Sequence, residues 1–285
     1  MKEKSKLLLT SSRPLSWVNT AFPFAAGYLY FTGSFDVTLV IGTIFFLIPY
    51  NLLMYGINDV YDYESDMQNP RKGGVEGAVV DKKFHKLLLG WSYLLSLPFV
   101  IILAVLAPSS IPVLAACLFF VIAYSAKGLR FKEIPFLDSI TSSLHFVGPL
   151  IYALSIVGWP VMGWPAVIAF FAWGIASQSL GAIQDIAYDK KAGIGSIGTA
   201  IGERPTVYFS FICYVVAVAL LIPYGIHAVP IAIAGLGYAA NLVPAIIRKR
   251  ATGIEARAAW KRFLWINYIA GAVVTITLIS TYIVW

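Results

Sequence analysis

The chain has 285 residues, of which 59% are hydrophobic and only 12% charged, with a formal net charge of +7. Soluble domains carry about a quarter charged residues, so this composition excludes an ordinary soluble fold and indicates an integral membrane protein. The basic excess comes with no nucleic-acid-binding motif, which leaves anionic lipid headgroups and a phosphorylated substrate as its partners.

Uncharged runs cover residues 14–35, 37–58, 87–126, 139–184, 205–247 and 263–285. One span needs about 20 apolar residues, so the three longest runs each read as two helices joined by a turn, for about nine spans in total. Pro and Gly clusters mark those turns at residues 108–112, 158–165 and 223–230. The fold class expected is therefore all-α, a polytopic bundle of about nine transmembrane helices forming one domain over residues 1–285.

Taken in chain order, Lys2, Lys4, Lys6 and Arg13 precede the first run. That run exceeds a signal-peptide core and no small-residue cleavage site follows it, so it is expected to be a retained span. The remaining Lys and Arg fall in alternate connections: Arg71 to Lys86, Lys127 to Lys132, Lys190 to Arg204, and Arg248 to Arg262. Asp36 is the one formal charge in the opposite connections. Because basic residues near helix ends stay on the cytoplasmic side, the N-terminus is expected inside and the C-terminus outside.

The second span runs into Asn58-Asp59-Val60-Tyr61-Asp62-Tyr63-Glu64-Ser65-Asp66. On a continuing helix Asn58, Asp62 and Asp66 step by four residues and line one face, which Asp59 can share. After the sixth span, Gln184-Asp185-Ile186-Ala187-Tyr188-Asp189 again sets two carboxylates four apart. Like charges stacked this way repel unless a cation lies between them, and magnesium is commonly held by one or two carboxylates together with substrate phosphates. Charge sorting places both motifs on the cytoplasmic side, where two such pairs facing across a bundle could hold Mg2+ against a diphosphate. Each motif is followed by a basic, Gly-rich loop, residues 69–74 and 190–195, a hint of internal duplication.

Between the motifs lies Tyr124-Ser125-Ala126-Lys127-Gly128-Leu129-Arg130-Phe131-Lys132. A Tyr hydroxyl and three cations suit an oxyanion with several acceptor oxygens, although a plain positive-inside loop would look similar. His85, His145 and His227 are scattered without metal-ligand spacing, so no catalytic histidine is assigned, and His145 reads as a structural group inside a span. Cys117 and Cys213 lie singly within spans, which supports neither a disulfide nor a zinc site.

The motif from Asn58 to Asp66, the Tyr124 to Lys132 stretch and the Asp185 to Asp189 motif together resemble the UbiA-type intramembrane prenyltransferases, in order and in place along nearly the whole chain. The longer strings NDVYDYESDMQNPRKGGVEG and SLGAIQDIAYDKKAGIGSIG look like the lycopene elongase branch of that family. This resemblance implies a Mg2+-dependent transfer of a prenyl group from an allylic diphosphate, dimethylallyl diphosphate in this branch, to lycopene, with water adding a hydroxyl. It implies Asn58, Asp62, Asp66, Asp185 and Asp189 as metal ligands, the four aspartates as catalytic, and Asn58, Arg71, Tyr124, Lys127, Arg130 and Lys132 as diphosphate-binding. Three rivals stand beside it. A quinone-ring, porphyrin or glycerol-phosphate acceptor keeps the same site. A CDP-alcohol phosphotransferase would carry D-G-x-x-A-R, which is absent. A secondary transporter would show discontinuous helices, whereas every long uncharged run here is expected to span intact.

Overall fold

The computed structural model describes residues 2–67, 79–248 and 252–283, and every regular element among them is helical. The chain divides into two compact units, Met1–Phe131 with Leu144–Pro160, and Lys132–Ser143 with Val161–Trp285.

The first unit holds α1 (Lys2–Ser11), α2 (Val18–Thr32), α3 (Val37–Leu47), α4 (Pro49–Tyr61), the single turn α5 (Tyr63–Asp66), α6 (His85–Leu106), α7 (Ile111–Ser125) and all but the first turns of α8 (Leu137–Ile156). The second holds the start of α8, then α9 (Gly163–Ile183), α10 (Ile186–Ala192), α11 (Ile197–Ile201), α12 (Glu203–Ala219), α13 (Val229–Ile247) and α14 (Thr252–Ile283). Among the described residues seven helical stretches are long and apolar enough to cross a membrane, with α3 and α4 counted as one. The two other apolar helices, α2 with 15 residues and α12 with 17, fall short in length, so the expected nine are not reached by that measure. The turns expected at residues 108–112, 158–165 and 223–230 all separate helices, and Gly225 makes the last of them possible with a φ of 61°.

Residues 37–58 were expected to form one intact helix, and they do not. Proline has no N–H to continue the ladder, so Pro49 ends α3 at Leu47 and restarts the chain as α4. The Asn51 side chain replaces what is lost: its Nδ2 donates to the carbonyls of Phe46 (2.9 Å) and Leu47 (3.0 Å) and to Thr20 Oγ1 (2.7 Å). Thr20 in turn donates to Phe46 O at 2.7 Å, tying α2 to the break. A helix interruption inside hydrocarbon survives only when its polar groups are met internally.

Lipid tails are as apolar as the side chains facing them, so close packing and interhelical hydrogen bonds hold such a bundle together. In the first unit Phe24, Phe45, Phe46, Tyr50 and Tyr152 form a buried aromatic core. Gly42 on α3 leaves room for the Phe24 ring of α2, which a Cβ would strike. In the second unit Trp173, Tyr214, Tyr238 and Phe263 from α9, α12, α13 and α14 pack together. Their polar ends are matched, with Ser177 Oγ 3.1 Å from Tyr214 OH and Tyr238 OH donating to Asn267 Oδ1 at 2.9 Å.

The last apolar run was expected to begin its helix at Phe263. In fact α14 starts at Thr252, so Arg257, Lys261 and Arg262, expected in a connection, are helical. Arg262 Nε donates to Asn241 Oδ1 at 2.7 Å, which joins α14 to α13.

Candidate active site

The first acidic motif does not follow one continuous helix. α4 ends at Tyr61 and Asp62 caps it with φ −97° and ψ −1°, after which α5 adds one turn. The i to i+4 backbone bonds nevertheless carry through, from Asp62 N to Asn58 O (2.9 Å) and from Asp66 N to Asp62 O (2.8 Å). The expected spacing of Asn58, Asp62 and Asp66 therefore survives a bend at Asp62. Asp62 and Asp66 are 3% and 7% exposed, against the expectation for ordinary helix-end charge.

Asn58 Nδ2 donates to Asp62 Oδ2 at 2.6 Å and to Ser125 Oγ on α7 at 3.0 Å, which leaves its carbonyl oxygen as the atom able to ligate. Arg130 approaches Asp62 Oδ1 at 3.5 Å and donates to the Tyr61 and Ser125 carbonyls, both at 3.3 Å. Its backbone is left-handed, with φ 44°, a conformation costing roughly 1–3 kcal/mol outside glycine and concentrated at functional sites. Three acceptors on α4, Asp62 and α7 hold the guanidinium in that pose. Lys127 is exposed, and Tyr124 sits on α7 with its ring edge against His145, 4.9 Å between centroids. His145 is itself buried, with Nε2 3.1 Å from Phe120 O, as a structural histidine should be. Arg71 lies outside the described residues.

Asp59 departs from the expected common face. Its side chain is fully buried and its Oδ1 pairs with Arg13 NH2 at 2.9 Å, while the Arg13 guanidinium lies 4.0 Å from the Tyr55 ring centre. Sequence reasoning placed Arg13 only among the topology-setting cations. Arg13 turns left-handed (φ 50°) just before Pro14, which nothing in the sequence signals.

The second motif lies in the second unit. α9 tightens at its end through i to i+3 bonds from Gln184 and Asp185, and Asp185 then caps α10. Asp189 N bonds Asp185 O at 2.8 Å, so the two carboxylates keep their one-turn spacing. Burial, and then the like charge of Asp185, lift the Asp189 carboxyl to about 6, against a partial pull downward from the Ser196 hydroxyl and Lys132. Lys132 thus belongs with Asp189, whereas Lys127 and Arg130 belong to the first unit with Asp62. The basic stretch straddles the boundary between the units, and each acidic motif has a cation from its own unit.

Among the described residues no three His, Cys, Asp or Glu side chains converge as a metal cage. The donors fit magnesium held in another way. They are hard oxygen atoms in pairs, one pair buried beside an amide and the other one turn apart, with Asp189 raised by burial and by the like charge of Asp185, and magnesium takes one or two carboxylates and completes its shell with water and phosphate.

The UbiA prenyltransferase family model matches residues 20–269. The chain is 49% identical over 284 residues, 98% of its length, to a C(50) beta-cyclic carotenoids biosynthesis protein LbtBC from a Dietzia species, and spans 65% of that protein. It is 47% identical to a lycopene elongase/hydratase from Corynebacterium glutamicum, covering 98% of this chain and 99% of that one. The fold matches a UbiA homologue from Archaeoglobus fulgidus bound to GPP and Mg2+ with a TM-score of 0.66 and 20% identity, over 95% of this chain and 99% of the other.

Proposed function

The chain belongs to the UbiA prenyltransferase family, and on that footing we propose that it transfers a dimethylallyl group from its diphosphate to lycopene, with addition of water, in the making of a fifty-carbon carotenoid. The transfer chemistry is supported above all by the two carboxylate pairs, each at one-turn spacing and each with a cation from its own unit. Similarity to the Corynebacterium lycopene elongase/hydratase over nearly the full length of both chains supports the acceptor. Family membership also sets aside a transporter, which the break at Pro49 no longer allows helix continuity to do.

In this reading Asn58, Asp62 and Asp66 ligate magnesium in the first unit, and Asp185 and Asp189 in the second. When bound, magnesium neutralises the diphosphate and stabilises it as a leaving group. Arg130, Lys127, Arg71 and Tyr124, and Lys132 with the second motif, donate to the diphosphate oxygens that carry the growing negative charge. The carbon–oxygen bond to diphosphate breaks as the terminal alkene of the acceptor forms a bond to the allylic carbon, and water adds to the resulting tertiary cation and gives up a proton to the solvent, so no protein nucleophile is required. The site and the N-terminus face the cytoplasm, the side to which the basic connections sort.

Expression in a lycopene-producing host, followed by mass analysis of the pigments, tests the proposal. Lycopene should gain five-carbon units with hydroxyl groups. Unchanged lycopene beside prenylated quinone would move the acceptor elsewhere within the family, and pigment lengthening that persists in Asp62→Ala would overturn the site.

A further inference from the structure

One buried carboxylate takes no part in this chemistry. Asp138, at the start of α8, is 1% exposed. Its Oδ2 accepts the backbone N–H of Ile197 at 3.0 Å, across 59 residues of sequence, and its Oδ1 accepts the Ser139 hydroxyl at 3.4 Å. Ser139 Oγ lies 3.2 Å from Ser179 Oγ on α9, so the start of α8 is anchored there as well. Burying a carboxylate is costly unless its partners are well placed, and a helix cap does not explain this one. Ser196 already caps α11, accepting from Thr199 N at 3.2 Å while Thr199 Oγ1 accepts from Ser196 N at 2.7 Å.

The bond to Ile197 fixes the residue before it. Ser196 Oγ donates to Asp189 Oδ2 at 3.3 Å, with Thr199 Oγ1 a longer acceptor at 3.5 Å. Gly195 lies against the connection between α7 and α8, where a Cβ would come 2.5 Å from the Glu133 carbonyl oxygen. Phe136, two residues ahead of Asp138, takes a left-handed backbone with φ 69°. The loop between α10 and α11 is thus held from one side by Glu133 and Asp138 and presents one hydroxyl to the second acidic motif.

We infer that Asp138 is a positioning residue for Asp189: by holding Ile197 N–H it sets the Ser196 hydroxyl on one carboxylate oxygen and leaves the other for the metal. This rests on the reading of Asp189 as a magnesium ligand. Groups that orient metal ligands typically change metal affinity 10–100-fold when removed.

The test uses the full chain in lipid nanodiscs, with Asp138→Asn, Asp138→Ala, Ser196→Ala and the Asp138→Ala/Ser196→Ala double variant. Three readouts are taken: amide hydrogen exchange of residues 193–199 without metal, Mn2+ binding in the presence of inorganic diphosphate by electron paramagnetic resonance, and prenyl transfer against Mg2+ concentration. Asp138→Ala should speed exchange in the loop and weaken Mn2+ about 10–100-fold. It should also raise the Mg2+ needed for half-maximal rate, with kcat restored at saturation. Asp138→Asn keeps a carbonyl oxygen for Ile197 N–H and should retain most of the affinity. The double variant should be no worse than Asp138→Ala, because both changes act through one contact. Mn2+ affinity unchanged in Asp138→Ala, or additive losses in the double variant, would overturn the inference. If Asp138→Ala does not fold, wild-type Mn2+ affinity in Ser196→Ala does the same. A wild-type chain that binds no Mn2+ with diphosphate would instead sink the magnesium reading from which the inference starts.

Discussion

Protons should compete with magnesium for the second acidic motif. With burial and Asp185 lifting the Asp189 carboxyl to about 6, the group is about 90% ionised at pH 7 and about 10% at pH 5. Magnesium takes the ionised form, so this carboxylate alone should lower the apparent affinity for metal with diphosphate about tenfold between those values. Binding near pH 6 should release a proton, visible as a heat that depends on the ionisation enthalpy of the buffer. The diphosphate itself titrates in the same range, so Asp189→Asn supplies the baseline and the tenfold is the excess of the wild type over it. Equal falls in the two proteins, or tighter binding by the wild type at pH 5, would refute the assignment. For the metal-free protein the linkage has the opposite consequence. A carboxyl whose folded pKa is raised from 3.8 to about 6 adds stability below about pH 4 that is lost as the pH rises through 6.

Removing one member of a buried ion pair leaves the other charge uncompensated at about 3–5 kcal/mol. Arg13→Ala removes the ion-pair partner of the buried Asp59 Oδ1 and should therefore cost up to about that much in detergent unfolding, while Arg13→Ala with Asp59→Ala should recover part of it. Gly42→Ala drives a Cβ into the Phe24 ring and should cost about 1–3 kcal/mol, typical of overpacking, with Phe24→Leu as the compensating change measured in the same assay. Asn58→Ala removes both the proposed oxygen ligand and the donor to Asp62 and Ser125. It should raise the Mg2+ requirement of prenyl transfer about 10–100-fold, whereas Cys213→Ala, far from either motif in sequence and partly buried in the second unit's core, should leave that requirement unchanged.

What could be read from the chain ahead of its structure was local. The four-residue steps from Asn58 to Asp66 and from Asp185 to Asp189 hold because neighbouring turns of a helix impose them, even across the bends at Asp62 and Gln184. Pro49 was visible in the second apolar run, but hydropathy is blind to a missing N–H, and the repair is shared between Asn51 in the same run and Thr20 on another helix. Arg13 with Asp59 and Asp138 with Ile197 join residues 46 and 59 apart, and no periodicity points to either. The division of the basic stretch between two units follows from how the chain packs after Phe131, which the run of cations itself does not encode.

The length of α14 says something about the bilayer around it. Its 32 residues make a rod of about 48 Å, against a hydrocarbon layer of about 30 Å. The first eleven residues carry Glu255, Arg257, Lys261 and Arg262 and account for about 16 Å, so the remainder, from Phe263 onward, matches the slab. The start of the apolar run thus marks where lipid begins rather than where the helix does. Only 11% of its most apolar window is buried, so the rod is held chiefly along its first half, by Phe263 in the second unit's core and by the Arg262–Asn241 and Tyr238–Asn267 bonds. In a thicker membrane the free part has no apolar length in reserve at its N-terminal end, where the preceding residues are cations. This helix should then register bilayer thickness as strain on those two polar ties.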